Sequence, residues 1–154
     1  MGPLNKSKPW STKGLQGCYR FVNKLWSIIV DENGNLSKKI VDNDEGDKDT
    51  LFLHHQTIKK LGEDIEDLHF NTAVSQLMIY CNHLQKCNTV SKKLIEELVI
   101  ILSPFVPHIA EEFWSLLGQS QTISYHSWPQ YSEDLIQLDE VTIAVQVNLS
   151  LIHI

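Results

Sequence analysis

Apolar residues recur at helical spacing through five stretches of the chain. Leu15, Cys18, Val22, Leu25, Trp26 and Ile29 mark the first and predict a helix over about residues 13–30, which Ser11 or Thr12 can cap. Leu51, His54, His55, Ile58, Leu61, Ile65 and Leu68 mark a second over about residues 49–67. Val74, Leu77, Met78, Cys81 and Leu84 form the stripe of a third; Asn71-Thr72 is expected to cap it, with Phe70 stapled onto its first turn. A fourth begins at Ser91 and runs through Leu94, Leu98 and Ile101. Pro104 and Pro107 interrupt it, and a fifth runs from about residue 107 to Leu117, with Gly118 as its left-handed cap. Short connections make this an all-α, up-and-down bundle of about five helices over residues 12–118, with Trp26, Leu77, Leu98 and Ile101 buried.

The intervening segments read differently. Residues 1–11 hold Gly2, Pro3 and Pro9 and form a lead-in. Residues 31–49 are polar, acidic and turn-rich, and are expected to be a mobile loop. Asp42, Asp44 and Gly46 in that loop suggest a calcium site. The glycine falls one place early for an EF-hand, and the twelfth position is Leu53 rather than Glu, so no metal is assigned. Beyond Gly118 the period changes. Thr122–His126 reads as extended, Trp128-Pro129 as a turn, and Val141, Ile143, Val145 and Val147 alternate as a strand. One strand cannot bury its own apolar face, so its partners are expected beyond residue 154 or are missing. Residues 119–148 are therefore a linker and the first strand of an incomplete domain, with residues 130–154 loosely packed and 149–154 an atypical tail.

At 42% hydrophobic and 21% charged, the 154 residues belong to the globular class. No stretch approaches ~20 consecutive apolar residues and no apolar signal region opens the chain, so no membrane partner is expected. Three cysteines, Cys18, Cys81 and Cys87, suit a reducing compartment, which makes the cytoplasm the expected location. The net charge of −6 argues against a polyanionic partner, but its distribution reverses the argument. Residues 1–30 carry Lys6, Lys8, Lys13, Arg20 and Lys24 and no acid, while all nineteen carboxylates follow.

Most pairings that resemble sites have plainer readings. Adjacent His54 and His55 diverge on a helix and do not share a metal; one is expected at an interface and the other in solvent. Cys81 belongs to the core stripe, and His83 lies on another face. Glu111-Glu112 reads as helix-start acid rather than an acid/base pair. No nucleophile motif or phosphate-cradling glycine loop is present, so no catalytic, cofactor-binding or metal residue is assigned. The basic face of the first helix is the strongest functional signal. Lys13, Arg20 and Lys24 are the candidate RNA-binding residues, with Trp10, Tyr19 and Phe21 interleaved as possible stacking partners. From residues alone, a solvated helix face fits equally well. Arg20 can alternatively pair with Glu63, Glu66 or Glu111 of another helix.

Four groups of motifs resemble bacterial-type leucyl-tRNA synthetases, of the class I aminoacyl-tRNA synthetases. Met1–Leu4, Pro9-Trp-Ser11 and Gly17-Cys-Tyr-Arg-Phe21 with Leu25-Trp26 are similar to the segment following that family's catalytic domain. Ile58-Lys-Lys60, Glu63–Glu66 and Phe70-Asn-Thr-Ala73 resemble helices of its anticodon-binding-type bundle. Leu102–Trp114 is similar to a signature shared with the isoleucine, valine and methionine enzymes, and Trp128-Pro129 with Asp139–Asn148 resembles the leucine enzyme's entry into its C-terminal domain.

The resemblance implies a leucine–tRNA ligase whose parent enzyme uses ATP with Mg, and a helical piece that binds leucine-accepting tRNA and a catalytic domain of the same enzyme. The family's two ATP-site signatures are absent, so the chain is expected to be a fragment without pyrophosphate-exchange activity of its own. The leucine family generally does not depend on anticodon bases, so the implied contacts position the tRNA through its phosphates. The rival reading is a helical protein-interaction module with an exposed apolar groove.

Overall fold

The computed structural model describes residues 6–7, 12–42, 44–136, 145–147 and 150–152. Five helices make the bundle: α1 (Thr12–Ile29), α2 (Lys48–Glu66), α3 (Phe70–Lys86), α4 (Lys92–Leu102) and α5 (Pro107–Leu116). Two short strands, β1 (Ile40–Val41) and β2 (Val90–Ser91), pair in parallel, with Ile40 opposite Val90. A 3-10 turn (Ile123–Tyr125) and the one-turn helix α6 (Glu133–Ile136) follow α5.

The core is what the apolar periodicity implies. Leu25 and Ile29 of α1, Ile58 and Leu61 of α2, Leu77, Tyr80 and Leu84 of α3, Leu98 and Ile101 of α4, and Phe113 of α5 are fully buried. Each such side chain contributes about 1.5–3 kcal/mol through its removal from water. Trp26 departs from expectation and is 40% exposed. The buried arc of α1 runs through Leu25, Ile28 and Ile29, which leaves Trp26 at its edge, tilted against Phe113 at 5.6 Å between ring centroids. A polar network crosses the core. His54 of α2 shares a proton with Tyr80 of α3 through Nδ1 (2.8 Å) and meets Glu97 of α4 through Nε2 (2.6 Å). His54 is thus the interfacial histidine; the second, His55, is half-buried rather than solvated and accepts a hydrogen bond from the Ser132 amide.

Two helices end in the same way, with different residues. At the end of α5, Gly118 has φ +89°, its amide donates to Ser115 and the Gln119 amide donates to Trp114. At the end of α2, Leu68 takes φ +58°, its amide donates to Ile65 and the His69 amide donates to Asp64. Both are Schellman closures, for which glycine is the unstrained residue. The tight turn at Leu68 starts α3 one residue early, at Phe70. Asn71-Thr72 therefore lies inside the helix rather than capping it, and Phe70 packs edge-on against Phe105, not on its own first turn.

The segment 31–49, expected to be mobile, is held by specific contacts. Leu36 bridges to Val30, and the Asp31 carboxylate accepts the amides of Asn33 and Asn35. Lys39 Nζ donates to the carbonyls of Gln85 (3.2 Å) and Cys87 (2.9 Å), placing its charge at the negative end of α3. Leu36 and Ile40 pack on the core.

The stretch after Gly118 is also docked, not loose, as far as residue 136. Trp114 Nε1 donates to the Gln121 carbonyl, and His126 sits edge-on to Trp114 at 4.7 Å. Thr122 caps a 3-10 turn where an extended piece was expected. Lys59 of α2 pairs with Glu133 at 2.9 Å and lies over the Tyr131 ring. The expected strand is described only at Val145–Val147; its remainder, 141–144, lies outside the described residues. Val145–Val147 (β3) pairs antiparallel with Ser150–Ile152 (β4), so one partner of this strand lies within residues 149–154. The two strands are only two residues apart, close enough for a hairpin to form locally.

Candidate nucleic-acid interface

The face that α1 turns toward α3 is built from residues 17, 20, 21 and 24. Their spacing of three and four places them on one side of the helix. With Met78 and Asn82 of α3 they line a cleft of about 400 Å³, and none of these six residues carries a carboxylate. Lys24 Nζ donates to Asn82 Oδ1, which holds the ammonium at the mouth of the cleft. Arg20 is exposed and, among the described residues, forms no ion pair with the acids weighed against it. Glu111 instead accepts hydrogen bonds from the Thr122 hydroxyl and the Ile123 amide. That contact also corrects the helix-start reading of Glu111, because the first turn of α5 is free of acids.

The sequence candidates divide accordingly. Arg20 and Lys24 come together with Phe21, which is half-buried in the same cleft. Lys13 falls within α1, but its side chain lies outside the described residues, as do Lys8 and Trp10. Tyr19 is 66% exposed on another face of the helix, in line with Leu15 and Trp26. Asn82 and Met78 were not singled out from sequence. Only the pairing of α1 with α3 brings them to the site.

A second, larger cleft of about 500 Å³ opens among the N-terminus of α2, the C-terminus of α3 and β2. Several of its polar groups satisfy one another, while Lys86 stands exposed at its edge. Asp44 accepts from the Thr89 hydroxyl (2.7 Å) and the Gly46 amide (2.8 Å), bonds that hold its carboxyl below the usual range. Asp47 caps α2 through the Thr50 amide and is lowered by its bonds to Thr50. The Thr50 hydroxyl lies 2.6 Å from His83 Nε2.

Residues 47–154 match the family described as the anticodon-binding domain of tRNA ligase. The chain belongs to that family. A solved structure of similar shape is the Agrobacterium radiobacter K84 agnB2 leucyl-tRNA synthetase, crystallised as a ternary complex with tRNA and LeuAMS. The likeness covers 97% of this chain at 27% identity, with a TM-score of 0.73. The chain spans 20% of the length of that synthetase. The family match begins at the cap of α2 and leaves out α1, while the structural likeness includes it.

Within this anticodon-binding-type bundle, Cys81 and His54 play structural parts. Burial pushes the Cys81 thiol up to about 12, so it is an inert core group. His83 and Cys87 line the larger cleft. Among the described residues no cluster of three His, Cys, Asp or Glu side chains is placed to hold a metal. No helix of the described residues is long and apolar enough to cross a membrane.

Proposed function

We propose that this chain is the tRNA-binding helical part of a cytoplasmic leucine–tRNA ligase, an enzyme that attaches leucine to its tRNA with ATP in translation. The observation that carries the tRNA role is the α1–α3 cleft, where two cations stand without a carboxylate in a chain of net charge −6. The leucine assignment is supported by the likeness to the Agrobacterium enzyme, which is bound to tRNA in its own structure. Arg20 and Lys24, with Lys13, would neutralise phosphates and fix the tRNA body without reading bases. The parent enzyme would use ATP with Mg; among the described residues of this chain no cluster of His, Cys, Asp or Glu is placed to hold a metal.

The decisive experiment is a titration of a leucine-accepting tRNA transcript across salt concentration. The logarithm of the binding constant should fall linearly with the logarithm of salt, with a slope of roughly −0.9 per phosphate neutralised. One observation favours a second reading. Leu15, Tyr19 and Trp26 share a face of α1 and stay 40–66% exposed, as a protein-docking surface would. Absence of salt-dependent tRNA binding would leave that reading in place of the first.

A further inference from the structure

Gly17 lies inside an 18-residue helix, where glycine is the poorest former after proline. Neither usual reason for a glycine applies there. Among the described glycines only Gly34, Gly46 and Gly118 have positive φ, so the backbone at Gly17 is one any residue adopts. A Cβ built on Gly17 would meet nothing within 4 Å, so no packing within the protein excludes a side chain. What the missing side chain does is deepen the α1–α3 cleft between Arg20, Phe21 and Lys24 on one wall and Met78 and Asn82 on the other.

We propose that Gly17 is a close-approach position, which lets the sugar-phosphate backbone of an RNA strand lie directly against the backbone of α1. This rests on the RNA reading given above and adds a positioning residue that has no charge and no hydrogen-bonding side chain. The chemistry is consistent around the position. Arg20 and the Asn82-oriented Lys24 ammonium offer donors to phosphate oxygens, and Phe21 with the partly exposed Met78 offers an apolar wall for a ribose. A side chain at residue 17 would hold the strand off by the width of its own atoms. Phosphate contacts at hydrogen-bond distance would then be lost, although the cations remain.

Gly14 provides the control. It too has open space around its missing Cβ and sits in the same helix, but it does not line the cleft. The experiment uses the full 154-residue chain carrying Gly17→Leu, Gly17→Ala, Gly14→Leu, or Arg20→Ala with Lys24→Ala. Each is measured for thermal melting and for affinity to a leucine-accepting tRNA transcript. Both leucine variants should melt about 3 °C higher, because leucine is the better helix former. Among the glycine variants, only those at residue 17 should lose affinity, by about tenfold for leucine and less for alanine. The small Gly17→Ala change keeps the test valid if the larger side chain disturbs the bundle. Gly17→Leu binding at wild-type affinity, while the double cation variant weakens, would overturn the close-approach role and leave the RNA reading intact. Equal losses for Gly14→Leu and Gly17→Leu would also overturn it. Wild-type affinity in the double cation variant would instead sink the RNA reading at this cleft.

Discussion

The cleft between α1 and α3 and the one at the N-terminus of α2 share helix α3 and differ in how their polar groups are satisfied. In the larger one, Asp44, Asp47, Thr50, His83 and Thr89 bond to one another or to nearby backbone amides. In the smaller one, Lys24 keeps two of its three ammonium protons free of any described protein partner, and Arg20 keeps its whole fork. The larger cleft also presents two carboxylates, each held in its charged form by its hydrogen bonds, which would repel a phosphate. Volume and carboxylate-free charge therefore point to different clefts. Cations with no carboxylate beside them are the better physical guide to where a polyanion would sit.

The sharpest way to break this contrast is to remove the free cations. Arg20→Ala with Lys24→Ala should lower tRNA affinity at low salt by on the order of tenfold per lost contact and flatten the salt slope by about two units. The melting temperature should fall by no more than about 3 °C, since exposed charges of this kind contribute at most ~1 kcal/mol. A larger fall in melting temperature with an unchanged salt slope would place both residues in the scaffold.

Acid should act on the scaffold before it acts on the small cleft. Burial raises Glu97, but its bond to His54 and the charges of His54 and Lys93 outweigh that and leave it below the usual glutamate value of 4.5. Its contribution is complete above about 4.5 and is lost as pH falls through its lower folded value. Burial, then the neighbouring His54, lowers His55 below 6.5, so the folded state takes up that proton less readily than the unfolded chain. That contribution is complete above 6.5 and shrinks as pH drops below it. Both signs agree, and melting temperature should decline steadily from about pH 6.5 downward. Glu97→Gln should remove the lower part of that decline at a loss of about 2 kcal/mol, the scale of a hydrogen bond to a charged group. An unchanged pH profile in Glu97→Gln would assign the decline to other carboxylates.

Asp47→Ala tests the larger cleft in turn. It deletes the cap of α2 and should cost about 1 kcal/mol of stability by denaturant melting. Affinity for tRNA should be unchanged or slightly raised, because a carboxylate is removed. Weaker tRNA binding would give the larger cleft an RNA role. The smallest effect concerns the helix ends. Leu68→Gly should stabilise the fold by about 0.5–1 kcal/mol, since it relieves a left-handed leucine at the position Gly118 fills in α5. A destabilised variant would mean that the 59%-exposed Leu68 side chain packs more than its exposure suggests.

Much of this was legible in the sequence because helices are local objects. The periodicity of Leu77, Cys81 and Leu84 or of Leu94, Leu98 and Ile101 placed α3 and α4 correctly, and Gly118 marked the end of α5. What stayed hidden depends on residues far apart. Lys39 reaches the carbonyls of Gln85 and Cys87 across 46 and 48 positions, and no spacing rule signals it. The two-residue strands β1 and β2 are too short to show a period, although the apolar Ile40 and Val90 in polar surroundings were a faint sign. Arg20 and Lys24 were visible as neighbours on one face. Asn82 and Met78 became part of the site only when α3 packed beside α1. Trp26 was misplaced because a hydrophobic stripe shows that a face is apolar, not how wide the neighbouring helix covers it.

The tight joint at Leu68 also bears on the order in which the molecule assembles. Only residues 67–69 separate α2 from α3, and these two helices share the most extensive packing in the bundle. Contacts so close along the chain close quickly and with little loop entropy, so this hairpin should form first during refolding. The small cleft needs α1, whose contacts with α3 span far more of the chain; Lys24 and Asn82 are 58 positions apart. Helical signal in a rapid-mixing experiment should therefore rise before the ability to capture tRNA. Competence for RNA would be acquired in the closing phase of folding, when α1 settles against a hairpin that already stands.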